Sequence, residues 1–327
     1  MIEIYNNSKI FVACPAKQTT GGPELLHQLV YKLNKLGYNA YVFYYGDFKG
    51  DPVPDEYKKY KTLYVSKIED LKENLLIVPE TNTGLLFKYK NIRKSIWWLS
   101  VDNYFESIKN MKIGFKNKIK LLLGLNKYFD LDNSNNIYHL AQSEYALNFL
   151  KNKNLTNIYY LSDFLNKDFL DKNVNLNISE KENIVAYNPK KGFEFTKMLI
   201  ENGPDIRWEP IVNMKRDEVI NLLRKSKVYI DFGNHPGKDR IPREAAICGC
   251  CVITGKKGSA RFYNDVPIDD SFKFEDSPSN LEKIIYKIKE CFSNYQEETR
   301  KFDKYREIIK KSESEFEKDI IKIFKKI

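Results

Sequence analysis

IDFGNHPGKDRIPREAAICGCCVI, running from Ile230 to Ile253, is the stretch whose reading decides the fold. It opens with a short apolar run that closes on Asp231 and passes through a glycine-bearing basic loop. It then enters a helix opened by Pro242 and leaves through a second apolar run beginning at Cys251. Strand, loop, helix and strand in that order are the repeating unit of a parallel sheet covered by helices. A loop carrying His235, Lys238, Asp239 and Arg240 between a strand end and a helix start lies where such sheets bind anions. Backbone N–H groups and the positive end of the helix dipole both point there. Glu244, one turn into the helix, is placed to accept from a pair of hydroxyls rather than to meet a phosphate.

The same alternation extends through the chain. Strands are expected at Ile184–Tyr187, Ile206–Glu209, Val228–Asp231 and Cys251–Thr254, with helices at Phe193–Glu201, Asp217–Lys225 and Pro242–Cys248. In the first half, Ile10–Cys14, Ala40–Tyr45, Leu75–Val78, Ser95–Leu99, Ile137–Ala141 and Ile158–Leu161 read as strands. Pro23 suits the first turn of a helix, Glu24 favours its positive end, and Leu25, Leu26, Leu29, Val30 and Leu33 recur at helical spacing. The expectation is an α/β protein with two Rossmann-like domains, residues 1–165 and 183–300, joined by the polar linker 166–182. The segment 301–327 spaces Phe302, Tyr305, Ile309, Phe316, Ile320 and Ile323 as one more helix.

A chain of 327 residues suits two domains of about 150 each, and its 42% hydrophobic content is enough for two cores. No run approaches the ~18 apolar residues of a membrane span, and the opening MIEIYNNSK lacks an apolar leader, so a cytoplasmic protein is expected. Five cysteines fit a reducing compartment. The net charge of +10 is spread along the chain, mixed with acids and free of any aromatic RNA-binding or helix-turn-helix pattern, which argues against nucleic acid. Between Phe105 and Phe129, Lys109, Lys112, Lys116, Lys118 and Lys120 interleave with apolar residues, the pattern either of an element on an anionic membrane leaflet or of a solvated helix. Cys248 and Cys251 form a CxxC at a helix end without a second ligand pair. His27 and His139 read as structural, and Asp130–Asp132 as a solvated turn, so no metal is expected. Trp97 and Trp98 read as one core residue and one cleft-wall residue.

EAAICGCCVI also resembles the "EA, two residues, G, two residues, VI" signature of GT-B glycosyltransferases, especially the family 4 group. TGGPELLHQLVYKLNKLGYNAYVFY, Thr20 to Tyr44, is similar to the opening glycine pair, helix and strand of that family. The resemblance implies two sheets facing a cleft, a C-terminal helix crossing back to the first domain, a nucleotide diphosphate sugar as donor, and no metal or other cofactor. It implies that Glu244 holds the ribose and that Lys190, Lys191, Lys238 and Arg240 hold the diphosphate. Asn188, His235, Gly237, Asp239, Gly258 and Ser259 complete the donor set, and Gly21 and Gly22 form a phosphate or acceptor loop. Asp102 and Glu24 fall on the acceptor side, Asp102 either as a general base or as a helix cap. Two positions depart from the pattern: Ala186 stands where the family has an arginine, and Pro236 where it has the first of two glutamates.

The function expected is transfer of a sugar to a lipid-linked or growing surface glycan of capsule or lipopolysaccharide type, at the inner membrane face. A nucleotide-sugar epimerase or hydrolase, and a non-catalytic nucleotide-sugar-binding module, are the alternatives.

Overall fold

Short runs of apolar residues without polar alternation bury both faces of a strand, which is the signature of a parallel sheet sandwiched by helices. Such runs build both sheets in the computed structural model, which describes residues 1–113, 119, 122–123, 127–131, 136–171 and 178–327. The chain divides into two units: Met1–Asp163 with Ser314–Ile327, and Phe164–Glu313.

The Met1–Asp163 part of the first unit holds β1 (Ile2–Ile4), β2 (Ile10–Pro15), β3 (Ala40–Tyr45), β4 (Tyr64–Val65), β5 (Leu75–Pro79), β6 (Arg93–Trp98), β7 (Ile137–Ala141) and β8 (Ile158–Tyr160). Among the described residues β2 to β8 form a sheet of order β4-β3-β2-β5-β6-β7-β8, parallel throughout. Trp97 and Trp98 are both fully buried, so neither lines a wall. Trp97 donates to the Leu161 carbonyl at 3.0 Å and stacks on Phe316, while Trp98 donates to His139 Nδ1 at 3.1 Å.

The second unit holds β9 (Glu182–Tyr187), β10 (Arg207–Pro210), β11 (Ser226–Asp231) and β12 (Cys251–Thr254), parallel in the order β10-β9-β11-β12. Its core packs these strands against helices Phe193–Asn202, Arg216–Lys225, Arg240–Ile247 and Leu281–Ser293. The helix Asp303–Ile323 belongs to the second unit through Glu313 and to the first from Ser314 onward. Its end is fastened within the first unit: Glu317 pairs with Lys32 at 2.6 Å, and β13 (Phe324–Lys326) lies parallel to β1 with Ile2 opposite Phe324.

Much of the basic stretch Phe105–Phe129, including Lys116, Lys118 and Lys120, lies outside the described residues, as do Asp132 and residues 172–177 of the expected linker. No helix among the described residues is long and apolar enough to cross a membrane. Cys14, Cys248, Cys250, Cys251 and Cys291 are free and buried.

Lys181 fastens the second unit from beneath. Its Nζ donates to the carbonyls of Leu223, Ser226 and Cys248 at 2.9, 2.7 and 2.8 Å, closing one helix end, the start of β11 and a second helix end. Lys181→Met removes three donors from buried carbonyls and is expected to cost about 2–4 kcal/mol, read as a lower urea midpoint at unchanged slope. A midpoint equal to wild type would show that water replaces the ammonium at no cost.

Candidate functional site

The carboxyl ends of β9 and β11, neighbours in the sheet with Tyr187 opposite Ile230, release two loops side by side. The loop after β9 turns at Asn188, whose Oδ1 accepts from the Lys190 N–H at 3.1 Å, and reaches the helix Phe193–Asn202 through Gly192 at φ +57°. A Cβ on Gly192 would meet the Phe232 carbonyl oxygen at 2.6 Å, and one on Gly233 would meet Lys191 Cβ at 2.4 Å. Glycine at both places lets the two backbones touch. Lys190 is left exposed, and Lys191 turns inward.

Lys191 Nζ lies 2.5 Å from Asp239 Oδ2. The fully buried His235 sits between two carboxylates, its Nδ1 3.2 Å from Asp239 Oδ2 and its Nε2 3.4 Å from Asp231 Oδ1. Asp231 also accepts from the Tyr229 hydroxyl at 3.1 Å and the Gly233 N–H at 3.2 Å. Burial works to raise the pKa of Asp231, yet His235, then Lys191 and the Gly233 N–H, hold it below the ordinary carboxylate range. Burial likewise opposes charge on His235, but Asp231 and Asp239 outweigh it and raise its pKa above 6.5. For Asp239 burial prevails over Lys191 and His235, and its pKa is raised.

The loop around them is tied down. Gly258, at φ +58°, leaves room for the His235 carbonyl, which a Cβ would meet at 2.0 Å. The Ser259 N–H donates to that carbonyl at 2.8 Å and its Oγ to the Gly237 carbonyl at 2.6 Å. Asp239 precedes the helix Arg240–Ile247, which starts two residues before Pro242. Arg243 donates from Nε to the Asp239 carbonyl at 3.1 Å and from Nη2 to the Lys238 carbonyl at 3.0 Å. Arg240 Nε and Glu244 Oε1 lie 3.7 Å apart on the first turn. Asp231, His235 and Asp239 each bring one ligand atom within 4.8 Å of the others. Two carboxylates there already face the Lys191 ammonium and the His235 imidazole.

The expected donor residues therefore converge: Lys191, His235 and Asp239 touch, Gly237, Gly258 and Ser259 brace them, and Arg240 and Glu244 share the adjoining helix turn. Asp231, Tyr229 and Arg243 belong to the same site and escape sequence reading, the first two because they close an apolar strand. Arg243 had a signal in its burial-prone place on an apolar helix face, four residues after Asp239.

In the first unit the expected residues fare differently. Glu24 is buried and accepts from the Tyr60 hydroxyl at 2.8 Å. Gly21 and Gly22 open the helix Gly21–Lys35, and a Cβ on Gly22 would sit an ordinary 3.6 Å from Leu99, so packing does not demand a glycine there. Asp102 is half-buried and accepts from the Tyr145 hydroxyl at 2.9 Å, whereas Ser100 caps the helix by accepting from the Asn103 N–H at 3.1 Å. His27 spans the Pro23 carbonyl and the Tyr44 hydroxyl at 2.7 and 2.6 Å, and burial lowers the pKa of His139 to about 4, as structural histidines require.

Sucrose-phosphate synthase from Thermosynechococcus elongatus superposes with a TM-score of 0.63 at 13% identity, over 97% of this chain and 98% of that one. HepE of Anabaena, solved with UDP-glucose, gives 0.58 at 10% identity, over 96% and 98%. TarM of S. aureus, solved as a mutant with fondaparinux, alpha-GlcNAc-glycerol and UDP, gives 0.55 at 15% identity. That match takes in 78% of this chain but 56% of TarM, so the chain spans about half the TarM length. The fold is GT-B. No protein-family model and no curated protein matches the sequence. In this GT-B chain the second unit carries the charged loop cluster, and the first carries a buried carboxyl that sequence reading misses, Glu80.

Glu80 follows β5 and accepts from the Leu99 N–H at 2.9 Å. Burial raises its pKa to about 8, against the lowering effect of the Leu99 and Ser100 backbone N–H groups. The folded state thus holds a proton that the unfolded state releases near pH 4.5, and stability falls as pH rises from about 4.5 to about 8. Glu80→Gln removes that penalty. Its stability relative to wild type is expected to climb by up to about 1.4 kcal/mol per pH unit across the window and then level off, measured by urea unfolding at a series of pH values. A difference independent of pH would refute a buried neutral carboxyl.

Proposed function

We propose that the chain is a glycosyltransferase whose second unit holds a nucleotide diphosphate sugar. The observation that carries this reading is the convergence of Lys191, Asp239, Arg240 and Glu244 on one glycine-locked loop pair at the carboxyl end of a parallel sheet, where such folds bind ligands. As the glycosidic bond breaks, negative charge gathers on the leaving diphosphate, and prepositioned cations lower that barrier. Lys191 and Arg240, with the exposed Lys190 at the rim, supply them without a metal. Glu244, 7% exposed and one turn into its helix, takes the ribose hydroxyls. In the first unit the acceptor role rests with Asp102, whose carboxylate is half-exposed and oriented by Tyr145, rather than with the buried Glu24.

The acceptor proposed is a lipid-linked or growing surface glycan of capsule or lipopolysaccharide type, met in the cytoplasm at the inner membrane face. Lys109, Lys112 and the exposed Phe105 on the helix Val101–Lys112 support contact with an anionic surface. HepE and TarM were solved with UDP or UDP-glucose, which makes uridine the first base to try.

Thermal shifts with UDP, GDP, ADP and their sugar derivatives, with and without EDTA, test the reading. One nucleotide should stabilise the wild type regardless of EDTA, and Lys191→Ala and Glu244→Ala should each weaken binding about tenfold to a hundredfold, the worth of a charge-assisted hydrogen bond. Stabilisation by none of them would remove the donor-site reading. Hydrolysis of the nucleotide sugar at full rate without any acceptor would favour the hydrolase alternative.

A further inference from the structure

We propose that His235, acting through Asp239, sets whether Lys191 is free to hold the donor diphosphate, an inference that rests on reading the second unit as the donor site. Lys191 Nζ lies 2.5 Å from Asp239 Oδ2, so the cation assigned to the diphosphate is engaged by a carboxylate of the protein itself. To meet the diphosphate it must leave that carboxylate, which is only 17% exposed. Stranding a buried charge is costly unless another cation stands by.

His235 is that cation. Its Nδ1 lies 3.2 Å from the same Asp239 oxygen and makes no hydrogen bond while Lys191 holds it, and its Nε2 faces Asp231 at 3.4 Å. Protonated, the imidazole bridges both carboxylates, and Lys191 can exchange Asp239 for the diphosphate with a net charge of one left behind. Neutral, it leaves two carboxylates uncompensated, and Lys191 stays where it is.

The other groups around the cluster do not change this sign. Tyr229 donates to Asp231, and burial, with Asp231 beside it, pushes its pKa well above 10, so it stays neutral. Arg243 is spent on the Lys238 and Asp239 carbonyls, Arg240 faces Glu244 at 3.7 Å, and Lys257 pairs with Asp276 at 2.6 Å. The residues packed over His235 from Gly258 and Ser259 offer only backbone and a hydroxyl that donates to Gly237. Because the two carboxylates raise the His235 pKa above 6.5, the cation is present below that range and is lost as pH rises through it.

The test is calorimetric titration of UDP-glucose, ADP-glucose and GDP-mannose into the full chain at about pH 6 and about pH 8.5, the ordinary histidine pKa lying between. Each is run in buffers of different ionisation enthalpy so that bound protons can be counted. Nucleotide sugars are used because their doubly substituted diphosphate does not titrate in this range. Wild type should take up a proton on binding and lose affinity on the order of tenfold toward the higher pH, the worth of one pKa unit of coupling. His235→Gln should bind at both pH values as weakly as wild type does at the higher one. Asp239→Asn, which releases Lys191, should bind at both as tightly as wild type at the lower one. A bracing role for His235 alone would weaken both variants in the same direction. Wild-type affinity equal at both pH values without proton uptake overturns the inference and leaves the donor site standing, as does a His235→Gln profile that keeps the wild-type slope. Binding of none of the three at either pH overturns the donor-site reading and this inference with it.

Discussion

The contact on which the site depends is one between two backbones. β9 and β11 are adjacent and parallel, so their carboxyl-terminal loops emerge together, and Gly192 and Gly233 let those loops press against each other without side chains between them. A β-carbon at either place would sit 2.6 Å or less from its neighbour. Gly258 repeats the device on the other side, beneath the His235 carbonyl. With three backbones fixed at these distances, Lys191 meets Asp239, and the positions of His235 and Asp231 follow from the same loop. Electrostatics refines an arrangement that steric permission has already imposed.

The molecule resolves the expense of burying an ionisable group in three different ways. Lys181 meets three carbonyls from its Nζ, although burial lowers its pKa, which makes it a strut. Glu80 gives up its charge, with a pKa raised to about 8. The Asp231, His235, Asp239 and Lys191 cluster does neither: it keeps several charges that can rearrange among themselves. A buried ion network contributes little net stability compared with apolar packing of the same volume. Its place at the carboxyl end of a parallel sheet therefore fits the proposed donor site better than a fastening of the fold.

The strands were legible as short apolar runs bounded by polar turns, so Ala40–Tyr45, Ile137–Ala141 and Cys251–Thr254 occupy the expected residues. What lay beyond reading was anything decided by distant partners. β1 and β13 are three-residue strands from opposite ends of the chain, too short for a pattern of their own. Glu24 sits where a helix dipole wants an acid, and nothing local tells that Tyr60 will cover it. Trp97 and Trp98 alternate across β6, which suggested one inward and one outward ring, yet both faces of a central strand are covered. Gly22, of the pair that resembled a family signature, meets no steric demand, whereas Gly192 and Gly233 do. Demand of that kind shows only when the facing backbone is in place.

The two departures from the GT-B sequence pattern have a physical reading in this light. Ala186 is fully buried on β9, between Tyr229 on one neighbouring strand and Glu209 on the other, so an arginine there would have to carry its charge into the packed sheet. The cation must come instead from beyond the strand end, which is where Lys191 stands. Pro236 lies between His235 and Gly237, whose carbonyls are both held by Ser259. The loop is thus stiffened at the place where a carboxylate is missing, and the acid appears three residues later, at Asp239, within reach of the lysine. The arginine and the first glutamate of the pattern are thus both replaced by uncharged residues, and the lysine that remains, Lys191, meets the new acid, Asp239, in an internal ion pair.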